Sequence, residues 1–154
     1  MKILYICTHN RCRSILSEAV TNHFSNGLIE AKSAGSQPVG EVHPLSLKYL
    51  AEAGISTQGL VSESWDDFEA FAPDLVVTVC DSAAGEACPV WFGDTMKIHW
   101  GLADPSKLTG SEESIATAFR DTIDIIKQRV ANILDIAKTD KSHWLAELKK
   151  LGAS

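Results

Sequence analysis

Residues 1–20 of the chain read MKILYICTHNRCRSILSEAV, and they place a short polar loop between two regular elements. The apolar run at residues 3–6 is typical of a strand that is covered on both faces. Over residues 14–24 the apolar side chains fall on roughly one face of a helix. The loop that begins at Cys7 therefore joins the carboxyl end of a strand to the amino end of a helix.

The rest of the chain continues this alternation. Further strands are predicted at residues 30–33, 74–80 and 96–100, and helices at 44–53, 64–70, 112–137 and 143–151. The alternation predicts an α/β fold, a single domain with a parallel four-stranded sheet and helices on both faces. We expect this domain to span residues 1–138, with residues 139–154 as a C-terminal extension that forms a short helix packed on it. Ligands of such sheets bind beyond the carboxyl ends of the strands.

Composition narrows the class of protein. A chain of 154 residues corresponds to about one domain. Its net charge of −6 argues against a nucleic-acid partner, which needs a basic surface. No apolar run is long enough for a membrane span, and the N-terminus lacks the features of a signal peptide. We therefore expect a cytoplasmic protein, in which the four cysteines serve chemistry or metal binding more than structural disulfides.

The loop after the first strand has the parts of an anion site with a nucleophile. Free N–H groups at a helix N-terminus bind anions, and the same environment favours the thiolate of Cys7. Arg13 offers a planar fork of donors to a tetrahedral oxyanion. Ser14 can donate to the Cys7 sulfur or cap the helix, and Asn10 can pin the loop backbone. The alternative is a buried cysteine beside an ordinary helix N-cap.

A family resemblance supports the first interpretation. The spacing Cys7-x5-Arg13-Ser14 after a first strand, with Asp104-Pro105 after a late strand, resembles the low-molecular-weight protein tyrosine phosphatases. Within that superfamily the chain is most similar to the arsenate reductases, through SAGS at 33–36, VVTVCDSAAGEACP at 76–89 and HWGLADP at 99–105. The resemblance covers about residues 2–135 and implies a flavodoxin-like, phosphatase-like fold.

The resemblance also implies roles for individual residues. Cys7 is then the nucleophile, Arg13 the oxyanion clamp, Ser14 the stabiliser of the thiolate and Asp104 the general acid. Cys80 and Cys88 match the redox pair of thioredoxin-coupled reductases. The implied oxyanion cradle consists of Thr8, His9, Asn10, Arg11, Cys12 and Arg13, and we interpret Cys12 as a structural residue of this loop.

Three functions remain open from the residues. Arsenate reduction through a Cys7–arsenic adduct and a thiol–disulfide relay accounts for the extra cysteines. A tyrosine phosphatase would have no use for a second thiol pair, and its relatives usually carry a tyrosine where this chain has Ser106. A non-catalytic oxyanion-binding module would have no use for Asp104.

We expect no bound cofactor. The implied small ligands are arsenate and phosphate, and the implied reductant is either thioredoxin or glutathione with glutaredoxin. A zinc site is not expected, because the chain has no Cys-x2-Cys pair. Asn10, Glu18 and Ser33 resemble positions that build a potassium site in some relatives, with Glu63 near a further acidic ligand.

Overall fold

A computed structural model describes residues 1–79, 93 and 95–153 of the chain. The described residues form one four-stranded, fully parallel sheet in the order β2-β1-β3-β4. Its strands are β1 (Lys2–Ile6), β2 (Glu30–Ala34), β3 (Leu75–Thr78) and β4 (Met96–His99). The predicted α/β fold on a parallel four-stranded sheet is confirmed. The two later strands end one or two residues before the predicted limits.

Four α-helices and two short 3₁₀ helices accompany the sheet in the described ranges. They are α1 (Arg13–Phe24), α2 (Pro44–Glu52), α3 (Glu112–Ala137) and α4 (Lys141–Ala153), with 3₁₀ helices at Trp65–Phe71 and Pro105–Lys107. The helix predicted at residues 64–70 is thus a 3₁₀ helix. It stops at Ala72, whose left-handed φ of 49° cannot continue a right-handed helix. The predicted C-terminal helix is longer than residues 143–151 at both ends.

The central strand β1 is covered on both faces. Its residues Ile3, Leu4, Tyr5 and Ile6 are all buried, although successive side chains of a strand point to opposite sides. This matches the continuous apolar run in the sequence. Helix α3 contributes Phe119, Ile126, Val130 and Ile133 to the same core, and the Phe119 ring stacks on Tyr49 of α2 with centroids 5.0 Å apart.

The strand register brings several loops to one edge of the sheet. Ile6 pairs with Ala34 on one side and with Thr78 on the other, and Thr78 pairs with His99. Because all strands are parallel, the loops that follow these residues leave the sheet side by side. The loop that begins at Cys7 therefore leaves the sheet between the ends of β2 and β3.

The C-terminal helix α4 packs on the body of the protein. Leu148 is 2% exposed and belongs to the hydrophobic core, and the Lys141 amine lies 3.6 Å from the Asp74 carboxylate. The division of the chain at residue 138 stays a prediction. None of the helices in the described ranges is long and apolar enough to cross a membrane.

Candidate active site

The loop after β1 is held from behind by the segment that follows β2. The Cys7 N–H donates to the Ala34 carbonyl at 3.2 Å. The carbonyls of Thr8, His9 and Arg11 accept from the N–H groups of Gln37, Val39 and His43 at 2.8, 3.2 and 2.9 Å. The C=O and N–H of a peptide point in opposite directions. The N–H groups of the same three peptides, those of His9, Asn10 and Cys12, therefore point away from residues 37–43, as in loops that bind anions.

Asn10 is the internal anchor of the loop. It is fully buried and has a φ of 48°, a left-handed conformation that asparagine tolerates better than most residues. Its Nδ2 donates to the hydroxyls of Ser14 and Ser33 at 2.8 and 3.0 Å, and its Oδ1 accepts from the Glu63 N–H at 2.8 Å. One side chain thus ties the loop to α1, to β2 and to a segment 53 residues away.

Ser14 is not the cap of helix α1. It is the second helical residue, and the N-cap is Cys12, whose side chain makes no capping hydrogen bond. The interpretation of Ser14 as a helix cap is therefore wrong. Its hydroxyl is buried and accepts from Asn10, which leaves its own O–H able to point elsewhere within the loop.

Gly35 lets the backbone after β2 pass directly behind the loop. A Cβ on this residue would lie 2.5 Å from the Thr8 carbonyl oxygen, 2.7 Å from that of Cys7 and 3.1 Å from the Asn10 nitrogen. Side-chain carbons do not approach backbone atoms this closely. From the sequence, SAGS was a matching stretch of the family resemblance and nothing more. The glycine in it was the signal for this close approach.

His43 is a second residue whose role the sequence did not reveal. It is the N-cap of α2, where its Nδ1 accepts from the Leu45 N–H at 3.1 Å, while its own backbone N–H holds the Arg11 carbonyl. Partial burial lowers the pKa of His43, and the Arg11 charge acts in the same direction. The imidazole ring is therefore favoured in the neutral form that this capping bond requires.

A small cavity of about 100 Å³ lies at the mouth of the loop. It is lined by Cys7, His9, Arg11, Cys12, Arg13, Asp104, Ser106 and Lys107. Pockets for drug-sized organic ligands measure ~300–1,000 Å³. The volume enclosed by the described residues suits an ion with a few heavy atoms. The structure thus brings together Cys7, Arg13 and Asp104, which are separated by up to 97 positions in the sequence.

The described residues use only part of the five N–H donors of the Arg13 guanidinium. Its Nη1 donates to the Leu102 carbonyl at 3.0 Å, and its Nη2 lies 3.6 Å from Asp104 Oδ2. Its Nε is buried and has no hydrogen-bond partner among the residues described. A buried unpaired N–H of a charged group is costly, and the guanidinium as a whole favours an anion as a neighbour.

Asp104 is held in a fixed orientation. Its Oδ1 accepts from both the N–H and the hydroxyl of Ser106, at 2.9 and 2.6 Å, which makes Asp104 the N-cap of the 3₁₀ helix Pro105–Lys107. Its Oδ2 faces Arg13, and only 15% of the side chain is exposed. The Asp-Pro-Ser sequence therefore presents one carboxyl oxygen to the cavity in a defined position.

Two of the four cysteines belong to the loop, and both are buried. Cys7 is 6% exposed and Cys12 is 2% exposed, and both are in the reduced thiol form. Burial raises the pKa of the Cys12 thiol to about 11, so this group is protonated at neutral pH. These properties agree with a structural role for Cys12.

The residues of the expected potassium site form a hydrogen-bonded cluster. The Ser33 hydroxyl donates to Glu18 Oε1 at 2.6 Å and accepts from Asn10 Nδ2. Burial raises the pKa of Glu18 to about 7 and raises that of Glu63 as well. Asn10 presents its NH₂ group, not its oxygen, to Ser33. The three side chains thus satisfy one another and do not form an oxygen cage, and the potassium site stays a prediction.

The remaining expected residues lie partly beyond the described ranges. Cys80 and Cys88 are outside them, so their placement relative to Cys7 stays a prediction. In the part of the chain that the structure describes, no three His, Cys, Asp or Glu side chains are grouped as metal ligands.

The fold and the site together define the class of protein. A sequence profile of the low molecular weight phosphotyrosine protein phosphatase family matches residues 2–149. The chain belongs to this family. Its curated relatives include an arsenate reductase of Halalkalibacterium halodurans, 32% identical over 136 residues, which are 88% of this chain and 96% of that protein. A glutaredoxin arsenate reductase of Synechocystis sp. is 27% identical over 86% of this chain and 95% of that protein.

Solved structures point the same way. An arsenate reductase in the phosphate binding state superposes with a TM-score of 0.72 at 27% identity, over 87% of this chain and 96% of that one. A thioredoxin-dependent arsenate reductase of Corynebacterium glutamicum has a TM-score of 0.68 at 26% identity, over 89% of this chain and 61% of that one. Within the family, the chain is thus similar to proteins named for reduction and not only for phosphate ester hydrolysis.

Proposed function

We propose that this chain reduces arsenate to arsenite at the cavity formed by Cys7, Arg13 and Asp104. The observation that carries the proposal is a cavity of about 100 Å³ that is lined by Cys7, Arg13 and Asp104, where the buried Arg13 Nε has no partner among the described residues. A nucleophile, an unsatisfied cationic donor and a volume suited to a small ion are what attack on a tetrahedral oxyanion requires. The names of the relatives support arsenate as that oxyanion.

Substrate binding uses the backbone as much as the side chains. The N–H groups of residues 9–12 and the N-terminus of α1 attract the anion, and Arg13 contributes a charge-assisted donor. Asn10, Gly35 and residues 37–43 hold the loop in the required shape before the anion arrives. Little reorganisation is then needed on binding, which favours the reaction.

The first chemical step forms a bond between sulfur and arsenic. The Cys7 thiolate attacks arsenic, and a hydroxyl group leaves as water after Asp104 supplies a proton. Asp104 suits this role because it lines the cavity and its Oδ1 is fixed by Ser106, while its Oδ2 faces Arg13. The same Ser106 stands where related tyrosine phosphatases usually carry a tyrosine, and here the side chain orients the acid.

The second step transfers two electrons to arsenic. A second thiolate attacks the Cys7 sulfur and forms a disulfide. The sulfur–arsenic bond breaks, and its electron pair stays on arsenic, which leaves as arsenite. In sum, one arsenate and two thiols give one arsenite, one disulfide and one water. We propose Cys80 as the second thiol and Cys88 as the thiol that resolves the Cys7–Cys80 disulfide, which leaves a Cys80–Cys88 disulfide for an external reductant.

The external reductant is thioredoxin in this scheme, and glutathione with glutaredoxin is the alternative. Single-turnover assays separate the two. Cys88→Ser should release one arsenite and trap a Cys7–Cys80 disulfide that peptide mapping identifies. Cys80→Ser should stop at the arsenic adduct. Multiple turnovers of Cys88→Ser with thioredoxin would refute the relay, and rescue of Cys80→Ser by glutathione and glutaredoxin would assign the other reductant.

Activity itself is tested by arsenite formation with each reducing system, for wild type and Cys7→Ser. The wild type should reduce arsenate with at least one of them, and Cys7→Ser with neither, because a serine hydroxyl stays protonated at this position. Cys12→Ser is the matched control, since its thiol is protonated already, and it should keep at least roughly a third of the activity. A Cys7→Ser variant with about a tenth of wild-type activity would remove the proposed nucleophile.

A further inference from the structure

The loop that carries Asp104 is fixed by a residue far from the cavity in sequence. We propose that Arg129 of helix α3 is a positioning residue for Asp104 in the reaction proposed above. It is not among the described residues that line the cavity. It acts through Trp100, which begins the loop that leads to Asp104.

Arg129 holds Trp100 by two contacts. Its Nη1 donates to the Trp100 carbonyl at 2.5 Å, and its guanidinium carbon lies 5.7 Å from the centre of the indole ring. Both residues are partly buried, so the hydrogen bond and the cation–π contact are partly shielded from water. The indole also packs near Tyr5 of β1, with ring centroids 5.3 Å apart. Trp100 is thereby fixed between the sheet and α3.

The contacts of Trp100 continue to the active site. The backbone N–H of Trp100 donates to the Thr78 carbonyl at 2.8 Å, and the backbone N–H of Leu102 donates to the Val79 carbonyl at 3.2 Å. The Leu102 carbonyl then accepts from Arg13 at 3.0 Å. Two residues further along the chain, Asp104 Oδ2 lies 3.6 Å from Nη2 of the same guanidinium. The path from Trp100 to Asp104 is thus tied to its surroundings at every second residue.

Gly101 makes the carbonyl contact important. It has a φ of 59°, a left-handed turn that glycine adopts without a steric clash. Because glycine restricts the backbone dihedral angles little, the loop needs a hydrogen bond from another element to fix the backbone at Trp100. Arg129 supplies it at the carbonyl that directly precedes the flexible residue. Loss of this tie would change the angle at which residues 102–104 approach Arg13.

This inference rests on the proposed arsenate reduction, and steady-state kinetics test it. Arg129→Met removes the donors and keeps much of the aliphatic packing. We expect kcat for arsenate to fall by roughly 10-fold or more, since misplacement of a reacting group by about 1 Å costs up to about 100-fold. The KM for arsenate and the Kd for inorganic phosphate should change less than about 3-fold, because the loop of residues 8–13 is untouched. Arg129→Lys should recover part of kcat.

The control is Arg120→Met on the same helix. Arg120 pairs with the exposed Glu52 and is remote from Trp100, so this variant should keep wild-type kcat. A double-mutant cycle with Asp104→Asn adds a readout that loss of stability would not produce. If Arg129 acts through Asp104, the Arg129→Met change should have little further effect on kcat in the Asp104→Asn protein.

Three results would overturn the inference. The first is an unchanged kcat in Arg129→Met. The second is a double variant with Asp104→Asn whose fold-loss in kcat equals the product of the two single losses. The third is a loss of kcat in Arg120→Met as large as that in Arg129→Met. An inactive wild type would instead refute the proposed function. Phosphate affinity is measured without turnover by calorimetry, so it shows whether the cradle of each variant is intact.

Discussion

The buried Nδ2 of Asn10 donates to the Ser14 hydroxyl at 2.8 Å, and this bond joins the loop that carries Cys7 to the helix behind it. The same amide also reaches Ser33 and Glu63. A residue with a left-handed backbone and three hydrogen bonds, two of them buried, is difficult to replace. The shape of the anion site therefore depends on one side chain that has no chemical part in the reaction.

Replacement of this anchor should damage both stability and binding. Asn10→Ala leaves the Ser14 and Ser33 hydroxyls and the Glu63 N–H without their common partner. We expect a loss of about 2–4 kcal/mol in the free energy of unfolding and at least roughly 10-fold weaker phosphate binding. Urea denaturation and calorimetry measure the two effects. Asn22→Ala is the control, because Asn22 ties α1 to Ala31 outside the site, and phosphate affinity should be unchanged there.

The close approach of the chain after β2 to the loop predicts a second sensitive position. In Gly35→Ala the new methyl group must move the Thr8 and Cys7 carbonyls, so the cradle opens. We expect at least roughly 10-fold weaker phosphate binding, measured by calorimetry.

Gly59→Ala is the matched control for this position. Gly59 has a φ of 79°, and no atom lies within 4 Å of the place that a new methyl group would take. The strain is then local, and phosphate affinity should stay within about 2-fold of the wild-type value. Equal effects of the two changes would contradict this account of Gly35.

The unpaired Nε of Arg13 predicts that the conservative substitution Arg13→Lys weakens oxyanion binding. Arg13→Lys keeps the positive charge and removes Nε together with the planar fork. Phosphate inhibition and arsenate binding should both weaken about 10-fold or more, as expected for one charge-assisted bond of ~1.5–3 kcal/mol. Competition assays against arsenate measure the inhibition constant. An unchanged value for phosphate would place Arg13 outside the site.

The raised pKa of Glu18 predicts a stability that depends on pH. The pKa of an unfolded glutamate is about 4.3, whereas burial raises the pKa of folded Glu18 to about 7. Below about pH 4.3 both states are protonated. As the pH rises to about 7 the unfolded state loses its proton first, so the protein becomes less stable, by up to about 3.5 kcal/mol in all.

Glu18→Gln should remove this dependence. The variant keeps an oxygen to accept from Ser33, and its stability relative to wild type should rise between about pH 4.5 and pH 8. Urea denaturation in potassium-free buffer measures it. Glu30→Gln, at an exposed position of β2, is the control and should follow the wild-type curve. A constant difference between Glu18→Gln and wild type at all pH values would contradict the assigned shift.

How well the sequence predicts each part of the site depends on how far apart in the sequence the contacting residues lie. The strand, loop and helix over residues 1–24 are local in sequence, and their pattern was sufficient. Asp104 could be placed near Arg13 because parallel strands bring their following loops to one edge of the sheet. The roles of Gly35 and His43 were not predicted, because both residues contact backbone carbonyls of a distant loop. Such backbone contacts leave no periodic pattern of residue types in the sequence. The 3₁₀ character of Trp65–Phe71 likewise depends on tertiary contacts that short-range propensity does not contain.

The central claim is that Cys7 carries arsenate through a two-electron reduction, and counting thiols in a single turnover tests it most directly. Reduced wild-type protein is mixed with arsenate in the absence of any external reductant, and free thiols and arsenite are then measured. Loss of two thiols for each arsenite formed is the predicted result, with neither change in Cys7→Ser. An unchanged thiol count in the wild type, with no arsenite released, would contradict the account and would leave a phosphatase or an oxyanion-binding protein.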